Sequence, residues 1–288
     1  TNVSGSRKFA RLIREEKYEE ALDIARQQIN EGSDMLNINL DESMIDTHEI
    51  IKTFLNHLQA EPDIASVPVM LDSSDFNVIE NGLKCLQGRS VVNSISLKEG
   101  EEAFKKEAET IKQLGAIPVV MAFDEQGQAD TFRRKTEICQ RAYNILTGEL
   151  HFPAENIIFD PIVLTIGTGI EEHNQYAADF IATVRWIRQN LPHAKVNAGI
   201  SNVSFAFRGN DYLREVINSV FLHHCREAGL NMAIVHPGKI IAREDIPENL
   251  LSAADDLILN RSPEATDRLV DIAPQYSNQV KENTYAEN

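Results

Sequence analysis

The residues of this chain most able to do chemistry sit directly behind short apolar runs. Asp72-Ser73-Ser74 follows Val69-Met-Leu71, Asn93-Ser94 follows Val91-Val92, and Asp160 follows Ile157-Ile-Phe159. The run from Met35 ends in Asn39 and Asp41, and Val119-Val-Met-Ala-Phe123 ends in Asp124-Glu125. Val196 leads into Asn197 through Asn202, and Ala233-Ile-Val235 leads into His236. A carboxylate such as Asp72 accepts two hydrogen bonds from an amidine-like ring edge, and an amide such as Asn93 donates and accepts at once, as reading a heterocycle requires. Asp160 stands before Pro161 in the same kind of position. Plainer uses exist: Asp72 is placed to cap a helix starting near Phe76, and Asn197-Ala-Gly-Ile-Ser-Asn-Val-Ser204 has the composition of a tight strand-to-helix turn. Converging polar groups are costly to leave unpaired, so the set as a whole points to a hydrogen-bonding site. In the last stretch Gly199 and Ser201 are small enough for backbone to approach a ligand that two amides, Asn197 and Asn202, would orient.

Other chemistries find less support. Asp124-Glu-Gln-Gly-Gln128 lacks the alternating oxygen ligands and terminal Glu of a calcium loop. The eight histidines form no H-E-x-x-H motif, and His223 and His224 point to different faces of a helix, so no metal site is expected. Neither a G-x-S-x-G elbow nor a phosphate-cradling G-x-x-x-x-G-K-[ST] loop occurs, and Gly167-Thr-Gly169 lacks the full dinucleotide fingerprint. Cys85, Cys139 and Cys225 are far apart in helical stretches, as buried free thiols are.

The elements that must position these groups alternate. Between the apolar runs, helical periodicity appears over Lys8–Asn30, His48–Leu58, Phe76–Leu86, Glu101–Leu114, Thr131–Thr147, Asn174–Asn190, Tyr212–Ala228 and Pro247–Leu259. Gly32, Gly115 and Gly229 stand where helix-ending residues should. Strand-helix alternation calls for a parallel sheet, and polar groups behind successive strands predict a (β/α)8 TIM barrel with its site at the carboxyl ends of the strands. Seven strands are visible, so the first is expected just before residue 1, truncated, with Thr1-Asn-Val-Ser-Gly-Ser6 on the carboxyl-end face. One barrel over residues 1–260 is expected, with 261–288 forming a terminal helix and a linker toward an absent domain.

The composition, 42% hydrophobic and 25% charged over 288 residues, is that of an ordinary globular chain. A formal net charge of -16 argues against nucleic acid as a partner. Absence of a long apolar run argues against a membrane span, and the expected compartment is the cytoplasm.

Several motifs follow one another in a recognisable order: Thr1-Asn-Val-Ser-Gly-Ser6, Asn37-Ile-Asn-Leu-Asp-Glu42, Leu71-Asp-Ser-Ser74, Val92-Asn-Ser-Ile-Ser96, Met121 through Asp130, Phe159-Asp-Pro161, Thr168 through His173, Ser201-Asn-Val-Ser-Phe205 and Phe207-Arg-Gly-Asn210. Over nearly its whole length the chain resembles the folate-binding domain of cobalamin-dependent methionine synthase, a barrel of the pterin-binding type. The resemblance implies methyl transfer from 5-methyltetrahydrofolate to cob(I)alamin, with the cobalamin-binding and homocysteine-binding modules of the same enzyme as partners. It implies that Asp72, Asn93 and Asp160 hold the pterin ring and that Asn202 is the catalytic amide beside N5. Asn39, Asp124, Gly199, Ser201 and Arg208 complete the expected folate contacts. The chain departs from the family at Ile162, where Asn is common, and at His236-Pro-Gly238, where Asn-Ala-Gly is common. Alternative readings are a corrinoid iron-sulfur protein methyltransferase, a dihydropteroate synthase-like enzyme, and a folate-binding scaffold without activity.

Overall fold

The computed structural model describes residues 1–42 and 45–276. Residues 277–288, most of the expected linker, lie outside the described residues, whereas 265–276 form a helix, Ala265–Ile272 (α11), and one tight turn, Ala273–Tyr276. The chain divides into two compact units: Thr1–Gly127 with Arg141–Phe159, and Gln128–Gln140 with the chain from Asp160 on.

In the first unit the apolar runs become strands β1 (Leu36–Ile38), β2 (Val69–Asp72), β3 (Val91–Ile95) and β4 (Ile117–Met121). They pair in parallel in chain order, with Leu36 opposite Val69, Leu71 opposite Val92 and Val92 opposite Pro118. The connecting helices are α3 (Thr47–Ala60), the single turn α4 (Pro62–Ala65), α5 (Phe76–Leu83) and α6 (Glu101–Gln113). Each crossover buries one helical stripe, for example Ile51, Phe54, Leu55 and Leu58 of α3. A two-stranded ribbon, β5 (Phe123–Asp124) and β6 (Gly127–Gln128), follows β4. The next strand is β7 (Ile158–Asp160), whose last residue belongs to the second unit.

Thr1–Val3 pairs beside the residue that follows β1. Asn2 bridges Asn39 in parallel, the Val3 amide donates to the Asn39 carbonyl at 3.1 Å, and the Asn39 amide donates to the Thr1 carbonyl at 3.1 Å. The opening segment therefore lies at the carboxyl end of β1. The single helix expected over Lys8–Asn30 is two, α1 (Arg7–Arg14) and α2 (Tyr18–Asn30). The break falls where Glu16 takes φ of 55° and the Lys17 amide reaches back to the Leu12 carbonyl, a left-handed helix ending that side-chain periodicity does not reveal.

In the second unit β8 (Lys195–Gly199) and β9 (Met232–Ile234) pair in parallel, with Asn197 opposite Met232. Its helices include α8 (Tyr176–Asn190), α9 (Asp211–Ala228) and α10 (Glu248–Ile258), while α7 (Phe132–Asn144) begins here and ends in the first unit. Gly229 closes α9 with φ of 105°, as expected for a left-handed cap. Asp255 on α10 ties that helix to its neighbours, accepting from Arg243 at 2.8 Å and lying 2.7 Å from His224 Nε2. Cys139 and Cys225 are buried and Cys85 is half-buried, all free.

Candidate functional site

Each unit carries a set of polar side chains at the carboxyl ends of its strands. In the first unit Asp72 ends β2 and stands in register with Asn93 on β3. Its carboxylate accepts from Asn37 Nδ2 at 2.9 Å and is also hydrogen-bonded by Asn39. Burial pushes the Asp72 carboxyl up, and the two asparagines offset part of that shift. The helix that follows is capped by Asp75, which accepts from the Asn77 amide at 2.8 Å. Asp72 is thus not the helix cap, and its remaining lone pairs are free for a ligand. The half-buried Asn93 side-chain amide makes no hydrogen bond among the described residues, while its carbonyl accepts from Ser73 N at 3.2 Å.

Asp41, at the end of the first strand's tail, organises the loop after β2. Its carboxylate accepts from Ser73 Oγ at 2.7 Å, from the Ser74 amide at 2.7 Å and from Ser74 Oγ at 2.9 Å. It does for the turn what an N-cap does for a helix, so Asp72 is not drawn into capping and keeps its bonds to Asn37 and Asn39. Asn39 also closes the start of this loop, accepting from the Asp41 amide at 3.1 Å. Asp124 is 7% exposed and accepts from the Gln126 amide at 2.9 Å, so part of its carboxylate serves the β5–β6 turn.

In the second unit Asp160 accepts from Asn197 Nδ2 at 3.0 Å and from the Ile162 amide at 2.9 Å. Burial drives its carboxyl up to about 6, against the lowering effects of the Ile162 amide, Asn197 and the Lys135 charge. The two asparagine-aspartate pairs are alike in chemistry: each Asn donates its amide nitrogen to Asp, and each keeps a buried Oδ1 without a partner among the described residues. Sequence reading names Asp72, Asp160 and the amide of Asn197 but passes over Asn37 and Lys135. An amide at an inward strand position is the available signal for Asn37, whereas nothing in its helical stretch marks Lys135.

Asn202 ends a tight turn, Ile200–Asn202, directly after β8. Its side chain is exposed and makes no hydrogen bond among the described residues, but its backbone is held firmly. Thr165 Oγ1 donates to the Asn202 carbonyl at 3.0 Å, and the Ile166 amide donates to the Val203 carbonyl at 3.1 Å. From α9, Arg214 donates to the Ser201 carbonyl at 3.2 Å and to Ser204 Oγ at 3.1 Å. A Cβ built on Gly199 would lie 3.6 Å from Asn202 Nδ2, an ordinary van der Waals contact, so Gly199 sits directly beside that amide. Arg208 lies with its guanidinium 3.1 Å from the centroid of the exposed Phe205 ring, a cationic and flat surface facing solvent. His236 is exposed and leads into the turn Pro237–Lys239, where its carbonyl accepts from the Lys239 amide at 3.0 Å.

These groups suit a flat, uncharged heterocycle with adjacent N–H donors and mixed donor-acceptor edges. Among the described residues no cluster of three or more His, Cys, Asp or Glu side chains could hold a metal ion, and no helix is long and apolar enough to cross a membrane.

Comparison with known proteins agrees with that chemistry. The family of pterin binding enzymes matches residues 1–236. Among solved structures, the chain is similar to a dihydropteroate synthase from Thermus thermophilus at 20% identity and a TM-score of 0.53, covering 76% of this chain and 83% of that one. It is likewise similar to the Xanthomonas albilineans dihydropteroate synthase in complex with 7,8-dihydropteroate, at 15% identity and 0.54 over 85% and 84% of the two chains. Yersinia pestis DHPS with a pterine-sulfa conjugate aligns at 13% identity and 0.55 over 85% and 89%. Likeness at that level shows the fold, an α/β barrel of the pterin-binding type. The family match runs through residues 1–236, well over half of the sequence, and this chain belongs to the pterin binding enzymes.

Proposed function

We propose that the chain binds 5-methyltetrahydrofolate and transfers its N5-methyl group to cob(I)alamin, as the folate module of a methionine synthase. On this reading Asp72, Asn93 and Asp160 hold the pterin, with Asn39, Asp124, Gly199 and Ser201 shaping its surroundings and Arg208 meeting the rest of the folate. The observation that carries the reading is Asn202, whose amide is exposed and unpaired on a turn pinned by Thr165 and Arg214. A methyl on a tertiary amine leaves only when N5 gains a proton or a strong hydrogen bond, because the departing nitrogen must carry its bonding pair. Asn202 is no acid, so its role is to hold N5–H rather than to supply the proton. The corrinoid is a co-substrate that supplies the nucleophile. The partners on this reading are the cobalamin-binding and homocysteine-binding modules of the same enzyme, and the compartment is the cytoplasm.

A second reading has in its favour the names of the solved relatives: condensation of a pterin pyrophosphate with p-aminobenzoate. Against it, Arg214 beside Asn202 is spent on Ser201 and Ser204, while Arg208, stacked on Phe205 with its N–H groups facing solvent, is available to either substrate. A paired assay separates the two. With 5-methyltetrahydrofolate and chemically reduced cob(I)alamin, methyl transfer in a single turnover is expected as loss of the cob(I)alamin absorbance, and no dihydropteroate is expected from the other substrate pair. The reverse pattern would replace the first reading by the second, and tight folate binding with neither reaction would leave a scaffold.

A further inference from the structure

The least accounted-for charge in the molecule is Lys135, on α7, which is 0% exposed. Its ammonium has three protons, and the structure gives it three acceptors, all backbone carbonyls: Ala129 at 3.1 Å, Pro161 at 2.6 Å and Ile162 at 2.8 Å. No donor remains for a ligand. Two of the three acceptors are the residues that follow Asp160. Ile162 has φ of 65°, a left-handed conformation that a β-branched residue adopts only under constraint, and in it the Ile162 amide donates back to Asp160 Oδ1 at 2.9 Å. An Asn at this position would take that conformation readily; here the constraint comes from the ammonium, which grips the Pro161 and Ile162 carbonyls on either side of the Ile162 Cα.

We propose that Lys135 is a positioning residue for Asp160: its ammonium locks the Asp160-Pro161-Ile162 turn so that the carboxylate is presented to the pterin, and its charge favours the ionised, hydrogen-bond-accepting form. This rests on the reading of Asp160 as a pterin ligand. The groups that face Lys135 are Asp160, Asp130, Asp179 and Cys139, the thiol being pushed by burial up to about 12 and so neutral in the working range. Burial brings the Lys135 ammonium down to about 8, with Asp160 foremost among the charges that resist, while the Asp160 carboxyl is raised to about 6. Both partners are ionised together only between those limits.

The test is the pH profile of 5-methyltetrahydrofolate binding, read by calorimetry on the whole chain. Wild-type affinity is expected to hold between about pH 6 and 8 and to weaken on both sides. Lys135→Met keeps the length and burial of the side chain without its charge. It is expected to lose about tenfold in affinity at pH 7 and to move the acid limb of the profile upward, a shift that mere loosening of the fold would not produce. A folded Lys135→Met with wild-type affinity and an unmoved acid limb overturns the proposal. If that variant does not fold, the wild type still decides: affinity unchanged from pH 7 to 9.5 overturns it. Asp160→Asn separates this inference from the reading beneath it. Wild-type affinity in Asp160→Asn removes Asp160 from the site and the Lys135 role with it, whereas a weakened Asp160→Asn beside an unaffected Lys135→Met removes only the latter.

Discussion

Asp160 illustrates how one residue can cost the free protein what it contributes to binding. Its carboxyl is raised from the ordinary value of 3.8 to about 6, so the folded state disfavours the ionised form. The sign follows from proton linkage: the penalty is fully present above pH 6 and disappears as pH falls toward the unfolded value. Asp160→Asn should therefore raise the stability of the free protein at pH 7.5 by about 1–3 kcal/mol, with the advantage fading to nothing near pH 4. The substitution is tolerated because Asn197 can turn its amide, directing its unpartnered Oδ1 at the new Asn nitrogen. Denaturant melts across pH would show the gain, and a loss of stability at pH 7.5 would contradict the assignment of a buried, strained charge. Asn202 calls for the opposite kind of measurement. If its hydrogen bond strengthens as N5 acquires a proton, Asn202→Ala should slow single-turnover methyl transfer by roughly tenfold to a thousandfold while affecting folate affinity less. Equal losses in rate and affinity would reduce Asn202 to a binding contact. Both residues stand out in the sequence because they are polar and end apolar runs. Lys135 does not, since it lies on a separate helix and joins the loop after Asp160 only through folding.

At the scale of elements, strands and glycine-marked helix endings such as Gly32, Gly115 and Gly229 are legible, while helix endings without a glycine are not. All seven apolar runs become strands, which pair in parallel within each unit, because buried parallel strands require continuous apolar residues. The break between α1 and α2 and the wide turn Ile145–Glu149 that extends α7 depend on single backbone angles and carbonyl choices that side-chain periodicity cannot encode. The loop after β7 shows how such angles bear on the candidate site. Gly167 takes φ of 68°, and a Cβ there would lie 2.5 Å from Phe207 Cζ. Gly169 takes φ of 80° with nothing within 4 Å. Comparing the two alanine variants isolates packing from conformation. Gly169→Ala should cost about 1 kcal/mol for the left-handed angle alone. Gly167→Ala should cost about 2–4 kcal/mol, because the Phe207 ring must also move, and the Thr165 bond to Asn202 lies in the same loop. Equal melting temperatures for the two variants would show that Phe207 yields freely and that the loop does not brace Asn202.

The whole molecule carries a formal charge of -16 at pH 7, and its field acts on stability independently of any site. Two effects of salt oppose each other. Screening weakens the attractive ion pairs, such as Lys105 with Glu101 and Glu149 or Arg26 with Asp23 and Asp63. Exposed pairs of this kind are worth about 0–1 kcal/mol each and lose only part of that to salt. Screening also relieves the mutual repulsion of the uncompensated carboxylates, a term that grows with the square of net charge and acts over distances comparable with the roughly 10 Å Debye length at 0.1 M. With Asp and Glu outnumbering Lys and Arg by 44 to 28, the second effect should win at neutral pH. Raising potassium chloride from 20 to 300 mM at pH 7.5 should therefore raise the melting temperature by about 1–4 °C. Near pH 5, close to the sequence pI of 4.9, the repulsion is gone and the same salt step should leave the melting temperature unchanged or slightly lower. A fall at pH 7.5 would mean that the local ion pairs, rather than the excess of carboxylates, dominate the electrostatics of the fold.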